Sequence, residues 1–525
     1  MVLLEINDIQ KKYPRRYKFR TILAWAIAAG IVVWILFSYT WFIFFGYEKA
    51  IFSVWTLILV YYLRWLIRGC DYILSTTSAL FELKKFERID FNKVIAHPTS
   101  HQELVLAQKM LPDMEATDVI HWFMVPMYTE SPDILLETIE AIRDTEYDLS
   151  KVAVTLHGEA HRKDCFDAAL QACLPLKQYF WYFNYTLHSL KPDEMPGKWA
   201  NITYGAETLY PDILAHFQTT SDKILLTTLD ADTKIGAQYC STLTYTYLST
   251  SDRKYASYQP VIFFFNNFWQ APFFSKIVSL FNTFWILFNF TKKFGPRNFS
   301  THAQPLDALV ELWFWSKQTI VEDWHQYRRS FFGFHGHYQC VPIYTRVYQD
   351  CNLNSSFIKT VQAQYNQMRR WAHGAQDLAY VRTEMIDQRK TLNKSRVIFE
   401  FLRLLEGILL WSTLHVILLA WLAFSLMKDI QLSSYISLGS AISLFTNIAF
   451  TLTITSLLLS LIVFPFSTLP KRADRIREVT IFLIYFFIFV GPSLITFSGL
   501  PALHTQIAIM LGKPMKKFNV TTKVR

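Results

Sequence analysis

The sequence predicts an α/β domain that is inserted between N-terminal and C-terminal transmembrane helices. Long apolar segments cluster in residues 21–70 and 401–512. Residues 71–400, between them, alternate short apolar runs with segments of helical periodicity. Hydrophobic residues make up 52% of the 525 residues and charged residues 18%, against about 25% charged on average. This composition excludes a disordered chain and a coiled coil.

The N-terminal part has the pattern of a basic segment followed by a helical hairpin. Residues 1–20 contain a run of Lys and Arg between positions 11 and 20. Residues 21–46 and 50–67 are each apolar and long enough to cross about 30 Å of hydrocarbon. Because Lys and Arg are enriched in cytosolic flanks, we expect a two-helix hairpin over 21–70 and a cytosolic N-terminus.

The C-terminal part, residues 401–512, predicts three or four further spans. The candidates are 404–426, 433–466 and 480–498, the last interrupted at Gly491–Pro492. The basic tail, residues 513–525, indicates a cytosolic end, whereas three spans after two would leave it outside. Either 500–512 re-enters the membrane or 433–466 is broken, and the sequence does not decide between these alternatives.

Charge favours a lipid bilayer over nucleic acid as the partner of this chain. The formal net charge is +10, and many of the cations flank apolar segments. The six cysteines form no C-x-x-C pair, which indicates reduced thiols on the cytosolic side. We therefore expect an integral membrane protein with its α/β domain in the cytosol.

Residues 260–290 are strongly apolar but carry amides, a proline and a lysine. A membrane span would have to bury these amides away from water. A pair of interfacial helices lying against the membrane is one interpretation, and a buried segment of the α/β domain is an equally supported alternative.

Three predicted strands of the α/β domain end in polar residues. The strands are 119–125, 152–156 and 224–229, and a predicted helix over Ile134–Arg143 lies between the first two. They are followed by Val125-Pro-Met-Tyr-Thr-Glu130, His157-Gly-Glu159 and Asp230-Ala-Asp232. Because ligands bind beyond the carboxyl ends of strands in such sheets, we expect these groups at one edge.

Two carboxylates separated by one small residue could hold a divalent cation. Asp230 and Asp232 offer hard oxygen ligands, which suit Mg²⁺ or Mn²⁺, and a cation there would neutralise a diphosphate. Taken alone, such a pair is more often a solvated turn.

Two later motifs strengthen the hypothesis of a ligand site. Glu322 and Asp323 are paired acids that follow an apolar stretch. Gln367, Arg370 and Trp371 have the spacing of one helix face, which would offer an amide, a guanidinium for phosphate and an indole for a sugar ring. The alternative for the second motif is a helix with a buried Trp and a surface Arg.

In this order, V-P-x-Y-x-E, Gly197-Lys198, D-A-D, E-D and Q-x-x-R-W resemble the membrane-integrated family-2 glycosyltransferases. That group includes cellulose, hyaluronan and chitin synthases, and the stretch from Glu322 to Ala372 is most similar to uncharacterised bacterial members. The resemblance covers about residues 119–381. It implies a cytosolic GT-A-type domain at the bacterial cytoplasmic membrane and a UDP- or GDP-linked sugar donor.

The resemblance also implies roles for individual residues. Asp323 would be the general base beside Glu322, and Asp230 and Asp232 would hold the metal. Gln367 and Trp371 would bind the acceptor. The donor would contact a set of residues along the chain: Pro126, Tyr128, Glu130, Glu159, Lys198, Asp230 and Arg370. Relatives carry an Asp pair after the second strand, so Glu159 is a substitution that puts the nucleotide contact in doubt.

Three functions remain open from the sequence. The first is processive, inverting synthesis of a polysaccharide coupled to its translocation, with a growing glycan as acceptor. The second is a single transfer of sugar to a lipid-linked acceptor. The third is a transporter or scaffold with a degenerate transferase domain, against which the intact acids at 230, 232, 322 and 323 count.

Overall fold

The computed structural model describes Glu5, residues 47–426 except 193 and 293, and residues 472–515 except 514. The predicted spans 21–46 and 433–466 lie outside the described residues. So do most of the basic segments 1–20 and 513–525.

One mixed eight-stranded sheet forms the centre of the domain. Its strands follow the spatial order β3-β2-β1-β4-β7-β6-β8-β5. Strands β1, β2, β3 and β4 are parallel to one another, β7 is antiparallel to β4 and β6, and β8 is parallel to β6. The bounds are β1 Ile120–Pro126, β2 Val152–Glu159, β3 Tyr182–His188, β4 Ile224–Thr228, β5 Lys234–Ile235, β6 Ala256–Phe263, β7 His302–Pro305 and β8 Gln339–Tyr348.

Helices cover the sheet and extend from it at both ends of the described chain. Their bounds are α1 Tyr47–Phe86, α2 Phe91–Ile95, α3 His101–Ala107, α4 Pro132–Arg143, α5 Lys163–Cys173, α6 Lys198–Phe217, α7 Tyr239–Leu248, α8 Phe273–Phe290, α9 Leu306–Glu311, α10 Glu322–Gly333, α11 Phe357–Ala372, α12 Asp377–Asp387, α13 Lys394–Leu426, α14 Arg472–Leu494 and α15 Leu500–Met510. A π-helical turn, Ile495–Gly499, joins α14 to α15.

The predicted alternation of strands and helices is confirmed in the first half of the domain. Strands β1, β2 and β4 are buried along their whole length, as expected of parallel strands covered on both faces. Helix α4 begins with Pro132 and buries one apolar face, including Leu135 and Ile139. Strand β2 continues to Glu159, so His157 and Glu159 belong to the strand and do not follow it.

The sheet topology brings several chain segments to one edge. The carboxyl ends of β1, β2 and β4 meet there because these strands are parallel. Strand β7 is antiparallel and begins at the same edge, where His302 pairs with Thr228. The carboxyl ends of β6 and β8 reach it too, because both strands run antiparallel to β7. The residues next to all six strands therefore face a common space.

The prediction of an interfacial helix pair over residues 260–290 is wrong. Residues 260–263 complete the buried strand β6, and Phe273–Phe290 form the single helix α8. Most side chains of α8 are buried against the rest of the protein, which fits the alternative of a core segment. High apolar content alone could not separate a buried element from one that faces lipid.

Two stretches of the described helices have the length and hydropathy of a membrane span: Phe273–Phe290, which is 72% buried, and Ile488–Met510, which is 33% buried. The predicted spans 50–67 and 404–426 lie within the long helices α1 and α13. The interruption expected at Gly491–Pro492 occurs instead at the π-turn, since Pro492 lies inside α14. Pro501 lies in the first turn of α15, where a proline is tolerated because its missing N–H costs no hydrogen bond.

Candidate active site

A cavity of about 460 Å³ opens at the common edge of the sheet, within the size range of small-molecule sites. It gathers every residue that the sequence singled out for chemistry, from six separate stretches of chain. The predicted residues in its wall are Pro126, Tyr128, Glu130, Glu159, Lys198, Asp230, Asp232, Glu322, Asp323, Gln367, Arg370 and Trp371.

The turn after β1 is built around the carboxylate of Glu130. Pro126 ends the strand, and Glu130 Oε2 accepts hydrogen bonds from the backbone N–H groups of Tyr128, at 2.6 Å, and Thr129, at 3.0 Å. Burial raises the pKa of Glu130 despite these bonds, and the negative charge of Asp232 raises it further. Glu130 therefore shapes the turn that carries Tyr128 into the cavity wall.

A polar cluster lies at the end of β2. Glu159 is only 6% exposed, and burial raises its pKa to about 7, although the charge of Arg162 opposes the shift. Its carboxylate lies 3.3 Å from His161 Nδ1, and His161 Nε2 lies 3.3 Å from the Tyr128 hydroxyl. The guanidinium of Arg162 lies 5.2 Å from the Tyr128 ring centroid. The cluster therefore joins an aromatic face to a carboxyl group that titrates near neutrality.

Lys198 is the first residue of α6 and points at the acidic strand end. Gly197 before it has φ = +151° and ψ = 178°, a conformation that is essentially restricted to glycine. The Lys198 ammonium donates a hydrogen bond to Asp230 Oδ1 at 2.6 Å. Gly197 thus lets the chain turn so that a cation meets the D-x-D motif.

Both aspartates of D-A-D accept hydrogen bonds from the segment that follows β8, and Asp230 also accepts one from Ser300. Asp230 Oδ2 accepts hydrogen bonds from Ser300 Oγ, at 2.6 Å, and Gln349 Nε2, at 3.3 Å. Asp232 is 3% exposed, and its Oδ2 accepts from the backbone N–H of Asp350 at 3.0 Å. These contacts fix both carboxylates before any ligand binds.

Paired acids begin helix α10 on the other side of the cavity. Asp323 accepts hydrogen bonds from the backbone N–H groups of Ser300, at 2.7 Å, and Trp324, at 2.8 Å. Burial raises the pKa of Asp323 above its ordinary value although these bonds lower it in part. Burial and the charge of Asp323 raise the pKa of Glu322 strongly, against the charge of Arg370. A carboxyl group with a raised pKa is a better proton acceptor once it is ionised.

Helix α11 presents Gln367, Arg370 and Trp371 to the cavity, as their spacing predicted. Gln367 Oε1 accepts a hydrogen bond from Gln364 Nε2 at 3.2 Å. The Trp371 ring makes an edge contact with Phe299, with 5.6 Å between the ring centroids. Trp371 is half-buried, so part of its surface is left for a ligand.

Sequence reasoning missed several polar residues of the cavity wall, among them Ser300 and Gln349. Ser300 has φ = +47°, and it links Asp230 to Asp323 through its hydroxyl and its backbone N–H. The Gln349 amide reaches the hydroxyls of Ser300, at 2.7 Å, and Thr233, at 3.0 Å. Gln349 directly follows β8, so the rule applied to the other strand ends would have found it. Ser300 precedes an antiparallel strand and had no such signal.

The donor set suits a divalent cation that is shared with a substrate. In the described part of the chain, no group of three or more His, Cys, Asp or Glu side chains forms a complete metal site. Asp230 and Asp232 supply two hard carboxylates, and several other carboxyl groups nearby have raised pKa values. Burial is the main cause of these shifts, and a nearby cation would stabilise the ionised form of each carboxyl group. Mg²⁺ in particular is commonly held by one or two carboxylates together with substrate phosphates.

Comparison with known families gives one direct match. The sequence model of the glycosyl transferase family group 2 matches residues 225–490, which is just over half of the chain. The match includes the D-A-D, E-D and Q-x-x-R-W motifs and begins after Tyr128, Glu159 and Lys198. The search of curated proteins found no significant relative.

Among solved structures, three glycosyltransferases illustrate the similarity. The mannosyltransferase PcManGT from Pyrobaculum calidifontis, in complex with GDP-Man and Mn²⁺, is 14% identical with a TM-score of 0.41, over 75% of this chain and 97% of its own. GalNAc-T7 with UDP, GalNAc and Mn²⁺ is 11% identical with a TM-score of 0.33, over 53% of this chain and 56% of its own. TarS 1–349 of S. aureus with UDP-GlcNAc is 11% identical with a TM-score of 0.32, over 75% of this chain and 93% of its own.

Proposed function

Because the chain belongs to the glycosyl transferase family group 2, we propose that it transfers a sugar from a UDP- or GDP-linked donor with inversion at the anomeric carbon. The proposal includes a GT-A-type domain on the cytosolic side of a membrane. The observation that carries it is the convergence of Asp230, Asp232 and Asp323 with Lys198 and Arg370 on one cavity. Carboxylates for a metal and a base thus lie beside two cations suited to phosphate.

The donor would lie along the carboxyl ends of β1, β2 and β4. Its nucleoside would sit against Tyr128 and Glu159, and its diphosphate near Lys198 and Arg370. Asp230 and Asp232 would hold Mg²⁺ or Mn²⁺, which when bound neutralises the charge that develops on the diphosphate leaving group. Lys198 would have to move from Asp230 Oδ1 or share it, because their present separation is 2.6 Å.

The acceptor would lie between α10 and α11. Asp323 would take the proton from the acceptor hydroxyl as its oxygen bonds to the anomeric carbon, while the bond from that carbon to the diphosphate breaks on the opposite face. Attack opposite the leaving group inverts the configuration. Trp371 and Gln367 would hold the acceptor ring by stacking and by an amide hydrogen bond.

We further propose that the product is a polysaccharide extended repeatedly and passed into the membrane part of the protein. The resemblance of Q-x-x-R-W to the motif of chain-extending synthases favours this product, and the contacts of α15 place that motif beside an apolar helix. Thr505 donates a hydrogen bond to the Arg369 carbonyl at 3.0 Å, and Gln506 donates to the Ile408 carbonyl at 3.1 Å. An apolar helix thus lies directly on the helix that carries Q-x-x-R-W. The second candidate, a single transfer to a lipid-linked acceptor, uses the same chemistry and fits the same contacts.

A donor panel tests the proposal. Purified protein in lipid, incubated with UDP- and GDP-linked sugars and Mg²⁺ or Mn²⁺, is expected to release nucleoside diphosphate from at least one donor. Product length then separates the two candidates, since repeated extension gives long chains and single transfer gives one added sugar. Release of no nucleoside diphosphate from any donor would reject the function.

A further inference from the structure

A buried carboxylate outside the cavity joins α10 to the start of α12, which follows α11 after the four residues 373–376. Asp377 begins α12, six residues after Trp371, and is 2% exposed. Its Oδ1 lies 2.8 Å from His325 Nδ1, and its Oδ2 accepts a hydrogen bond from the guanidinium of Arg328. Both partners are on α10, the helix that begins with Glu322 and Asp323.

These contacts lie within about one and a half helical turns of the proposed base. His325 follows Asp323 by two positions and is fully buried. Arg328 also donates to the Trp324 carbonyl at 3.1 Å, which binds the guanidinium to the first turn of α10. In addition, a Cβ built on Gly374 would lie 3.5 Å from the Trp324 ring. The link between α11 and α12 therefore packs against the start of α10.

The electrostatics of the cluster indicate a fixed charged pair. Burial alone would raise the pKa of Asp377, but the charges and hydrogen bonds of Arg328 and His325 lower it overall. The carboxylate is thus ionised when the protein is folded. An ionised carboxylate that contacts two side chains of α10 constrains both distance and direction between α10 and α12.

We propose that Asp377 is a positioning residue that holds α10 against the start of α12 and the link to α11, and so fixes where the Asp323 carboxylate meets an acceptor lying on Trp371. The inference rests on the proposed function. Asp377 does not line the cavity and touches no reacting atom. Its effect would pass through His325 and Arg328 to the start of α10. Small displacements of a base matter, since an error of about 1 Å can lower a rate by up to about 100-fold.

Three variants test this role in the full-length protein in lipid. Asp377→Asn removes the negative charge of the bridge, so the buried guanidinium of Arg328 loses its carboxylate partner. The double variant Arg328→Gln/Asp377→Asn removes both charges, so its melting temperature should lie closer to that of the wild type. Glu384→Gln is the matched control, because this buried carboxylate is on the same helix and accepts a hydrogen bond from Gln388, which caps the end of that helix.

We expect kcat to fall at least about 10-fold in both Asp377 variants while the donor KM stays within about twofold, because the donor side is built on other elements. Glu384→Gln should keep the wild-type kcat. A double variant that regains kcat together with its melting temperature would overturn the inference. So would a kcat loss matched by an equal rise in donor KM. Absence of transfer by the wild type would instead reject the proposed function.

Discussion

The Lys198 ammonium lies 2.6 Å from Asp230 Oδ1, so the first residue of α6 is bound to the first carboxylate of the D-A-D motif. The lysine occupies a ligand oxygen that the proposed cation needs. A positive charge is therefore present at this carboxylate before a metal and a donor arrive. Binding of the cation and binding of Lys198 to Asp230 should compete.

This competition predicts the behaviour of Lys198→Met. We expect the Mn²⁺ concentration for half-maximal activity to fall about fivefold, which corresponds to roughly 1 kcal/mol of lost competition. The maximal rate should also fall, because the lysine is proposed to face the diphosphate. A titration of activity with Mn²⁺ measures both. Lys198→Arg is the control, because it keeps the positive charge and should need the same Mn²⁺ concentration as the wild type. A higher Mn²⁺ requirement in Lys198→Met would contradict the account.

The pKa of Glu159, about 7, predicts a pH-dependent donor affinity. A carboxylate accepts a hydrogen bond from a nucleobase N–H more strongly than a neutral carboxyl group does. Since Glu159 ionises as the pH rises through about 7, the donor KM of the wild type should fall between about pH 6 and pH 8. Steady-state kinetics at fixed Mn²⁺ measure this change.

Glu159→Gln provides the control for that pH effect. The glutamine amide does not ionise in this range, so the donor KM of the variant should be higher at pH 8 and nearly independent of pH. The donor KM of the variant should not follow the pH dependence of the wild type. If it does, another group titrates and Glu159 does not contact the nucleobase of the donor.

Close packing between α6 and β2 predicts the effect of Gly205→Ala. A Cβ at Gly205 would lie 2.1 Å from His157 Nδ1, and His157 is fully buried in β2. We expect a loss of about 1–3 kcal/mol in the free energy of unfolding, because the strand and the helix must separate. Gly407→Ala is the matched control, since nothing lies within 4 Å of a Cβ there. Thermal unfolding compares them, and an unchanged melting temperature for Gly205→Ala would contradict this packing.

Much of the site could be predicted because local pattern and topology agree there. Apolar runs that end in Glu159 or in Asp230 and Asp232 identify parallel strands and their carboxyl ends without further information. The spacing of Gln367, Arg370 and Trp371 likewise determines a shared helix face. These predictions depend only on neighbours in sequence.

The missed and mistaken features depend on contacts between distant segments. Ser300 enters the site because β7 pairs antiparallel with β4, which no local pattern indicates. Helix α8 has the apolar composition of a membrane-associated helix, and only its packing partners make it a mostly buried element. Asp377 is held by His325 and Arg328, which lie on another helix about fifty positions earlier in the chain, so its role could not be predicted from its neighbours in sequence.

The central claim is that Asp323 removes the acceptor proton in a cavity where carboxylates and cations from separate segments meet. Asp323→Asn keeps the size of the side chain but cannot accept that proton. We predict that nucleoside diphosphate release with acceptor and Mn²⁺ falls at least about 100-fold in this variant, while donor affinity and the melting temperature stay close to those of the wild type. Release at the wild-type rate by folded Asp323→Asn protein would contradict the account.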